Sequence, residues 1–260
     1  MRLFHQCLAV LCLAVLTLSP LRAATASELT VAAASDLKFA LPEIVTGFQA
    51  AHKGDKIEVV YGSSGKLQTQ IREGAPFDIF FSADIAYAQA LRKDGFAATD
   101  PMPYAVGRLV LWSATRDASK MRLEDLADPK IGKIAIANPA HAPYGRCAEE
   151  VLRHAGLWDK VKDKLVFGEN IAQATQYAET GAADVAMTAL SIAVSKEASA
   201  KGGYALIPAS LHSRLEQAYV VTRHGADKPL ARAFLDYLKT KGSQAILVKF
   251  GFSPPGQAAR

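Results

Sequence analysis

The sequence predicts an α/β fold of two lobes with a ligand cleft between them, on three observations. Strand-like segments alternate with segments of helical periodicity along almost the whole chain, the pattern of parallel sheets covered by helices on both faces. The run 104–112, Tyr-Ala-Val-Gly-Arg-Leu-Val-Leu-Trp, is longer than an ordinary strand, and Gly107-Arg108 at its middle is where the chain can cross between lobes. A late strand at 217–222 can carry it back. The expected organisation is an export signal at 1–26, a first lobe from 27–106 and 221–260, and a second lobe from 107–220.

The signal rests on the positive start Met1-Arg2, an apolar run at 7–18 too short to span a membrane, and the small residues Ala24-Thr25-Ala26, which place cleavage near Ala26. Cys12 follows Leu11 rather than a small residue, so a soluble product is expected instead of a lipoprotein. Removing Arg2 and Arg22 lowers Lys and Arg from 30 to 28 against 25 Asp and Glu, so the formal charge falls from +5 to +3. With no basic run and no aromatic-basic interleaving, nucleic acid is not an expected partner. Cys7 and Cys12 leave with the signal, so Cys147 has no partner for an internal disulfide.

The mature chain opens on a strand of small residues at 29–34, followed by a helical face of Leu37, Leu41, Ile44, Val45 and Phe48. Pro42 sits inside this face, which predicts a first turn followed by regular helix. A strand at 57–61 leads through Gly62-Ser63-Ser64-Gly65 into a helix closed by Gly74, and Phe77 to Phe81 form an apolar run short enough for a buried strand. A helix follows over 85–91. Beyond the crossing, strands are expected at 133–137, 165–167, 183–188 and 204–207, with helices at 123–127, from Pro143 to Gly156, at 171–178 and at 191–200. Helices at 229–238 and 243–250 end the chain.

Four junctions share one design: Ala-Ala-Ala-Ser35-Asp36, Tyr-Gly-Ser-Ser64-Gly, Asn-Pro-Ala-His-Ala-Pro-Tyr144-Gly and Phe-Gly-Glu-Asn-Ile171. Each passes from a strand end to a helix start. In open α/β sheets the carboxyl ends of strands face the ligand crevice, and helix starts carry N–H groups without helical partners, so two junctions from each lobe can present donors to a small anion. Ser and Asn also cap helices everywhere, so each junction taken alone reads first as ordinary capping and only second as a ligand contact.

Other motifs carry less. Gly62-Ser-Ser-Gly-Lys66 has its first glycine too close to Gly65 for a phosphate-binding loop, and Leu67 stands where magnesium would need Ser or Thr. Ser35, Ser64 and His141 suggest a secreted serine hydrolase on paper, yet there is no G-x-S-x-G elbow and nothing places an acid behind the histidine. The histidines are scattered without metal-ligand spacing, so no metal is expected as a bare cation. Phe77, Phe80 and Phe81 read as sheet core and Cys147 as packing.

Taken together, Ala-Ala-Ala-Ser near the mature N-terminus, GSSGKLQTQIREGAPFDIFFSAD, NPAHAPYG with its Gly-Leu-Trp, GENIAQ and the terminal FLDYLKTKGSQAILVKFGF resemble the periplasmic molybdate-binding proteins of ABC importers, over essentially all of 28–252. The resemblance implies a type II periplasmic-binding-protein fold and no catalysis or cofactor. It implies a molybdate or tungstate ligand held between the lobes, periplasmic location, and a monomer that delivers the ion to a membrane permease. By motif, Ser35 and Ser64 would donate hydroxyl and backbone bonds from the first lobe, and Tyr144 and Ile171 backbone N–H from the second. Asp36 would contribute its N–H, its carboxylate pointing away to cap its own helix start or face solvent. Thr188 stands where some members carry a tyrosine that reaches the ligand, so that contact is in question. Another oxyanion or a small carboxylate is the alternative ligand.

Overall fold

The computed structural model describes residues 27–256, so the expected export signal lies outside the described residues. Its strands are β1 (Glu28–Ala34), β2 (Lys56–Gly62), β3 (Ile79–Ser82), β4 (Met102–Val106), β5 (Leu109–Trp112), β6 (Ile134–Ala137), β7 (Leu165–Gly168), β8 (Val185–Ala189), β9 (Tyr204–Leu206) and β10 (Glu216–Val221). The helices are α1 (Ala40–Ala51), α2 (Ser64–Arg72), α3 (Ile85–Lys93), α4 (Pro143–His154), α5 (Trp158–Val161), α6 (Ile171–Glu179), α7 (Leu190–Ala193), α8 (Lys196–Ser199), α9 (Pro229–Leu238) and α10 (Lys241–Lys249). A 3-10 turn at Ser35–Leu37 precedes α1, and Pro42 falls in the first turn of that helix.

Two five-stranded sheets form, in the orders β2-β1-β3-β10-β4 and β7-β6-β8-β5-β9. They are mixed rather than parallel. β1 is parallel to β2 and β3, and β6 to β7 and β8, but β10 runs against both its neighbours in the first sheet and β5 against both of its own in the second. The reversal follows from the crossings. The chain leaves the first sheet along β4, turns at Gly107-Arg108 and enters the second as β5; it returns through 207–215 to lay down β10 between β3 and β4. The long apolar run is thus two strands in two sheets. The return also comes earlier than the expected boundary after 220, because Glu216 already pairs with Val106. Gly107 N–H donates to the Leu215 carbonyl at 2.9 Å, so the two crossing segments are fastened side by side.

The inner strands β3, β5, β6 and β8 are buried on both faces, which is why they read as continuous apolar runs, whereas the edge strands β2 and β9 keep exposed residues. Val31, Ala33, Ile79 and Phe81 pack with Ile44 and Phe48 of α1 and Phe234 of α9, while Ala32 and Phe80 face Leu67 of α2 and Leu91 of α3. In the second lobe Ile134 and Ile136 pack under Val151 and Leu152 of α4, while Ala135, Val110 and Trp112 face Ala174 and Ala178 of α6. The helix expected over 191–200 is interrupted, forming α7 and α8, where Ser195 caps the second piece by accepting from the Ala198 N–H. Among the described residues no helix is long and apolar enough to cross a membrane.

The start of α4 is set by a close approach. A Cβ on Gly145 would lie 2.0 Å from the Ala137 carbonyl oxygen at the end of β6, so only glycine lets the helix begin there. Because backbone opposes backbone, Gly145→Ala should lower stability by about 1–3 kcal/mol, the ordinary range for overpacking. An unshifted denaturant midpoint would show that the first turn of α4 can move.

Candidate ligand-binding site

The carboxyl ends of β1 and β2 in one lobe and of β6 and β7 in the other meet at a small cavity of about 10 Å³. It leaves room only for a ligand of a few heavy atoms, far below the roughly 300–1,000 Å³ of pockets for organic ligands. A larger cavity of about 490 Å³ lies away from the strand ends, between β10 and α9. Ser35, Asp36, Ser64, Tyr144 and Ile171, the five residues singled out in the sequence, all line the small cavity. Ala34, Gly62, Ser63, Ala83, Ala142 and Pro143 complete its wall. They carry no chemistry that sequence reasoning could rank, being glycine, alanine, proline and one of two adjacent serines.

The lobes are closed on one another. The Gly65 N–H at the start of α2 donates to the His141 carbonyl at 2.9 Å, and Ser63 Oγ lies 2.9 Å from His141 Nδ1. His141 is therefore an interlobe contact. Lys66 and Glu169 pair across the mouth at 3.0 Å, and Arg146 pairs with Asp84. Burial and the nearby Lys66 push the His141 pKa below its usual value, against the opposing pull of Glu169.

The serines decide between capping and presentation. Neither hydroxyl caps its own helix. Ser35 Oγ accepts from the Ala172 N–H of α6 at 3.3 Å and donates to Asn170 Oδ1 at 3.1 Å, while Ser64 Oγ accepts from the Ala83 N–H at 3.0 Å. Asn170 is the one true cap of the four junctions, accepting from the Gln173 N–H. Since Asn170 Oδ1 already has that donor, the Ser35 hydroxyl hydrogen can turn to another acceptor without leaving the amide oxygen bare. Tyr144 and Ile171 stand in the first turns of α4 and α6, where N–H groups have no carbonyl partner within the helix.

Asp36 differs from the expectation. Its carboxylate neither faces solvent nor caps the turn. It is fully buried, and its Oδ2 accepts from the Tyr144 hydroxyl at 3.1 Å and from Gln217 Nε2, while Oδ1 has no hydrogen-bond partner. Tyr104 continues the chain by donating to Gln217 Oε1 at 2.6 Å. This network joins the first lobe, α4 of the second and the returning strand β10, and it lies against the crossing: a Cβ on Gly107 would meet the Tyr144 hydroxyl at 2.2 Å. Burial pushes the Asp36 carboxyl up to about 6, although Gln217, Tyr144 and, more weakly, the nearby backbone N–H groups of Asp36 and Leu37 pull the other way. Burial and the neighbouring Asp36 hold the Tyr104 and Tyr144 phenols well above their usual range.

Thr188 is buried against Thr175 in the second lobe, and it is not among the residues of the cavity wall. Among the described residues, no three His, Cys, Asp or Glu side chains gather as a metal site.

A family model described as bacterial extracellular solute-binding protein matches residues 29–253. The chain belongs to this family. As a solute-binding protein it is 35% identical to the molybdate-binding protein ModA of Rhodobacter capsulatus, over 88% of this chain and 89% of that one. It is 36% identical to the molybdate-binding protein ModA of Azotobacter vinelandii, over 88% and 91%. The solved structure of the Azotobacter vinelandii periplasmic molybdate-binding protein superimposes with a TM-score of 0.82 at 33% identity, covering 87% of this chain and 99% of that one. The two-lobed fold is that of the periplasmic binding proteins, and these relatives are binding proteins, not enzymes.

Proposed function

We infer that this solute-binding protein captures molybdate or tungstate in the periplasm, after removal of its signal near Ala26, and delivers the ion to the membrane permease of an ABC importer. The observation that carries the reading is the closed cavity at four strand-to-helix junctions, two from each lobe, in a chain whose relatives are molybdate-binding proteins. Molybdate and tungstate are dianions with four acceptor oxygens and no proton, so a wall of N–H and O–H donors satisfies them. Ser35, Ser64, the N–H groups of Tyr144 and Ile171 and the N–H of Asp36 are the proposed donors. The cavity is complete within one chain, which supports action as a monomer. The ligand is cargo, and no cofactor takes part.

Calorimetry of the mature protein against molybdate, tungstate, sulfate and phosphate tests this. Molybdate and tungstate are expected to bind tightly and phosphate weakly, since hydrogen phosphate brings a proton that needs an acceptor. Binding of phosphate alone would overturn the assignment.

Closure itself can be tested at Gly65. A Cβ there would lie 2.8 Å from the His141 carbonyl oxygen and 3.0 Å from its Cα, both in the opposite lobe, so the clash exists only when the cleft is shut. Gly65→Ala should weaken molybdate by about 1–3 kcal/mol and leave the ligand-free melting temperature unreduced. Wild-type affinity in this variant would mean that the liganded lobes do not meet at Gly65 and His141.

A further inference from the structure

We propose that closure on a dianion draws one proton onto Asp36 Oδ1, so that this protein binds its oxyanion and a proton together. The proposal rests on the oxyanion reading above and adds a residue that sets which ligand fits. The carboxylate comes from the first lobe, yet one of its two donors, the Tyr144 hydroxyl, belongs to the second, and its environment is complete only when the lobes meet. Oδ2 is occupied by Tyr144 and Gln217, whereas Oδ1 is buried without a partner in a residue of the cavity wall. An ionised carboxylate there would face a dianion in a water-excluded space, where like charges repel strongly. Protonation at Oδ1 removes the repulsion and keeps both bonds to Oδ2. It also turns an acceptor into a donor, which is what a ligand of acceptors only requires and what hydrogen phosphate, with its own proton, does not.

The groups facing this carboxylate from other elements leave the charge on Asp36 itself. From α4 and β4 come the phenols of Tyr144 and Tyr104, both held in their protonated form, and from β10 the neutral Gln217 amide. From α7 the Ser191 hydroxyl donates to the Asp36 carbonyl at 2.7 Å, and from α6 the Ala172 N–H reaches Ser35. The charged residues at the cleft, Lys66 with Glu169 and Arg146 with Asp84, are paired with each other. His141, its pKa pushed below the usual value by burial and by Lys66, is the other group near the cleft whose uptake of a proton has to be told apart. Closure already favours the protonated acid, burial holding the carboxyl at about 6 rather than 3.8 when the cleft is shut without ligand. The sign follows: at pH 7 the ligand-free carboxyl is mostly ionised, the liganded one is protonated, and binding consumes close to one proton.

The test is calorimetry of the mature protein with molybdate at pH 7 in buffers of different ionisation enthalpy, joined to the affinity at pH 7, 8 and 9. Wild type should take up close to one proton and lose about tenfold in affinity per pH unit. Asp36→Asn should bind with no buffer dependence and a flat pH profile. His141→Gln should keep the wild-type uptake, so the site of protonation remains testable if Asp36→Asn fails to fold. Molybdate binding without proton uptake by wild type overturns the proposal and leaves the oxyanion reading standing, as does uptake that persists in Asp36→Asn or disappears in His141→Gln. No binding of molybdate or tungstate at all overturns the oxyanion reading itself.

Discussion

Molybdate at a thousandfold excess over its Kd will stabilise the folded protein by about 4 kcal/mol, because the ion binds the closed native cleft and not the unfolded chain. For a chain of this size that corresponds to a rise in Tm on the order of 10 °C. Below saturation the shift should grow with the logarithm of the ligand concentration, which separates specific binding from a general salt effect. Sulfate at the same concentration provides the control. An unchanged Tm in millimolar molybdate and tungstate would remove the functional reading.

Replacing either serine of the first lobe will weaken the oxyanion by roughly 1.5–3 kcal/mol, the cost of a lost hydrogen bond to a charged group. The two variants differ in what else they disturb. Ser64→Ala leaves the buried Ala83 N–H without its acceptor within the first lobe, whereas Ser35→Ala removes bonds to Asn170 and Ala172 that exist only between lobes. Ser64→Ala should therefore also lower ligand-free stability, by about 1–3 kcal/mol for an unsatisfied buried group, and Ser35→Ala should not. Calorimetry and ligand-free melting separate the two effects. Normal binding by both variants would reduce the serines to fasteners of the closed form.

The cavity wall was legible because its chemistry sits at local junctions. Ser35, Ser64, Tyr144 and Ile171 each stand within a few residues of a strand end, a pattern visible in any short window. Asp36 was misread for the opposite reason. Beside a serine at the start of a helical face it looks like a first-turn acid, yet its partners Tyr144 and Gln217 lie 108 and 181 residues along the chain. The available signal was Gln217 itself, a polar residue inside an apolar strand, which needs a buried partner. Strand direction was equally hidden. Val220 in β10 is buried like Phe80 in the parallel strands, and burial on two faces produces the same apolar run whichever way the strand points.

The interleaving of the two sheets sets the order in which the molecule can be completed. A chain emerging from its N-terminus has made β1 to β4 by residue 106, but β3 and β4 have no direct pairing and wait for the strand that separates them. That strand is β10, which arrives only with residues 216–221, after the whole second sheet has been synthesised. Until then the edge of β3 is open and the Tyr104 hydroxyl lacks Gln217. Such distant pairing slows folding. A polypeptide that stays unfinished until its last fifth has appeared remains threadable for most of its synthesis, which is the condition in which an exported chain crosses a membrane.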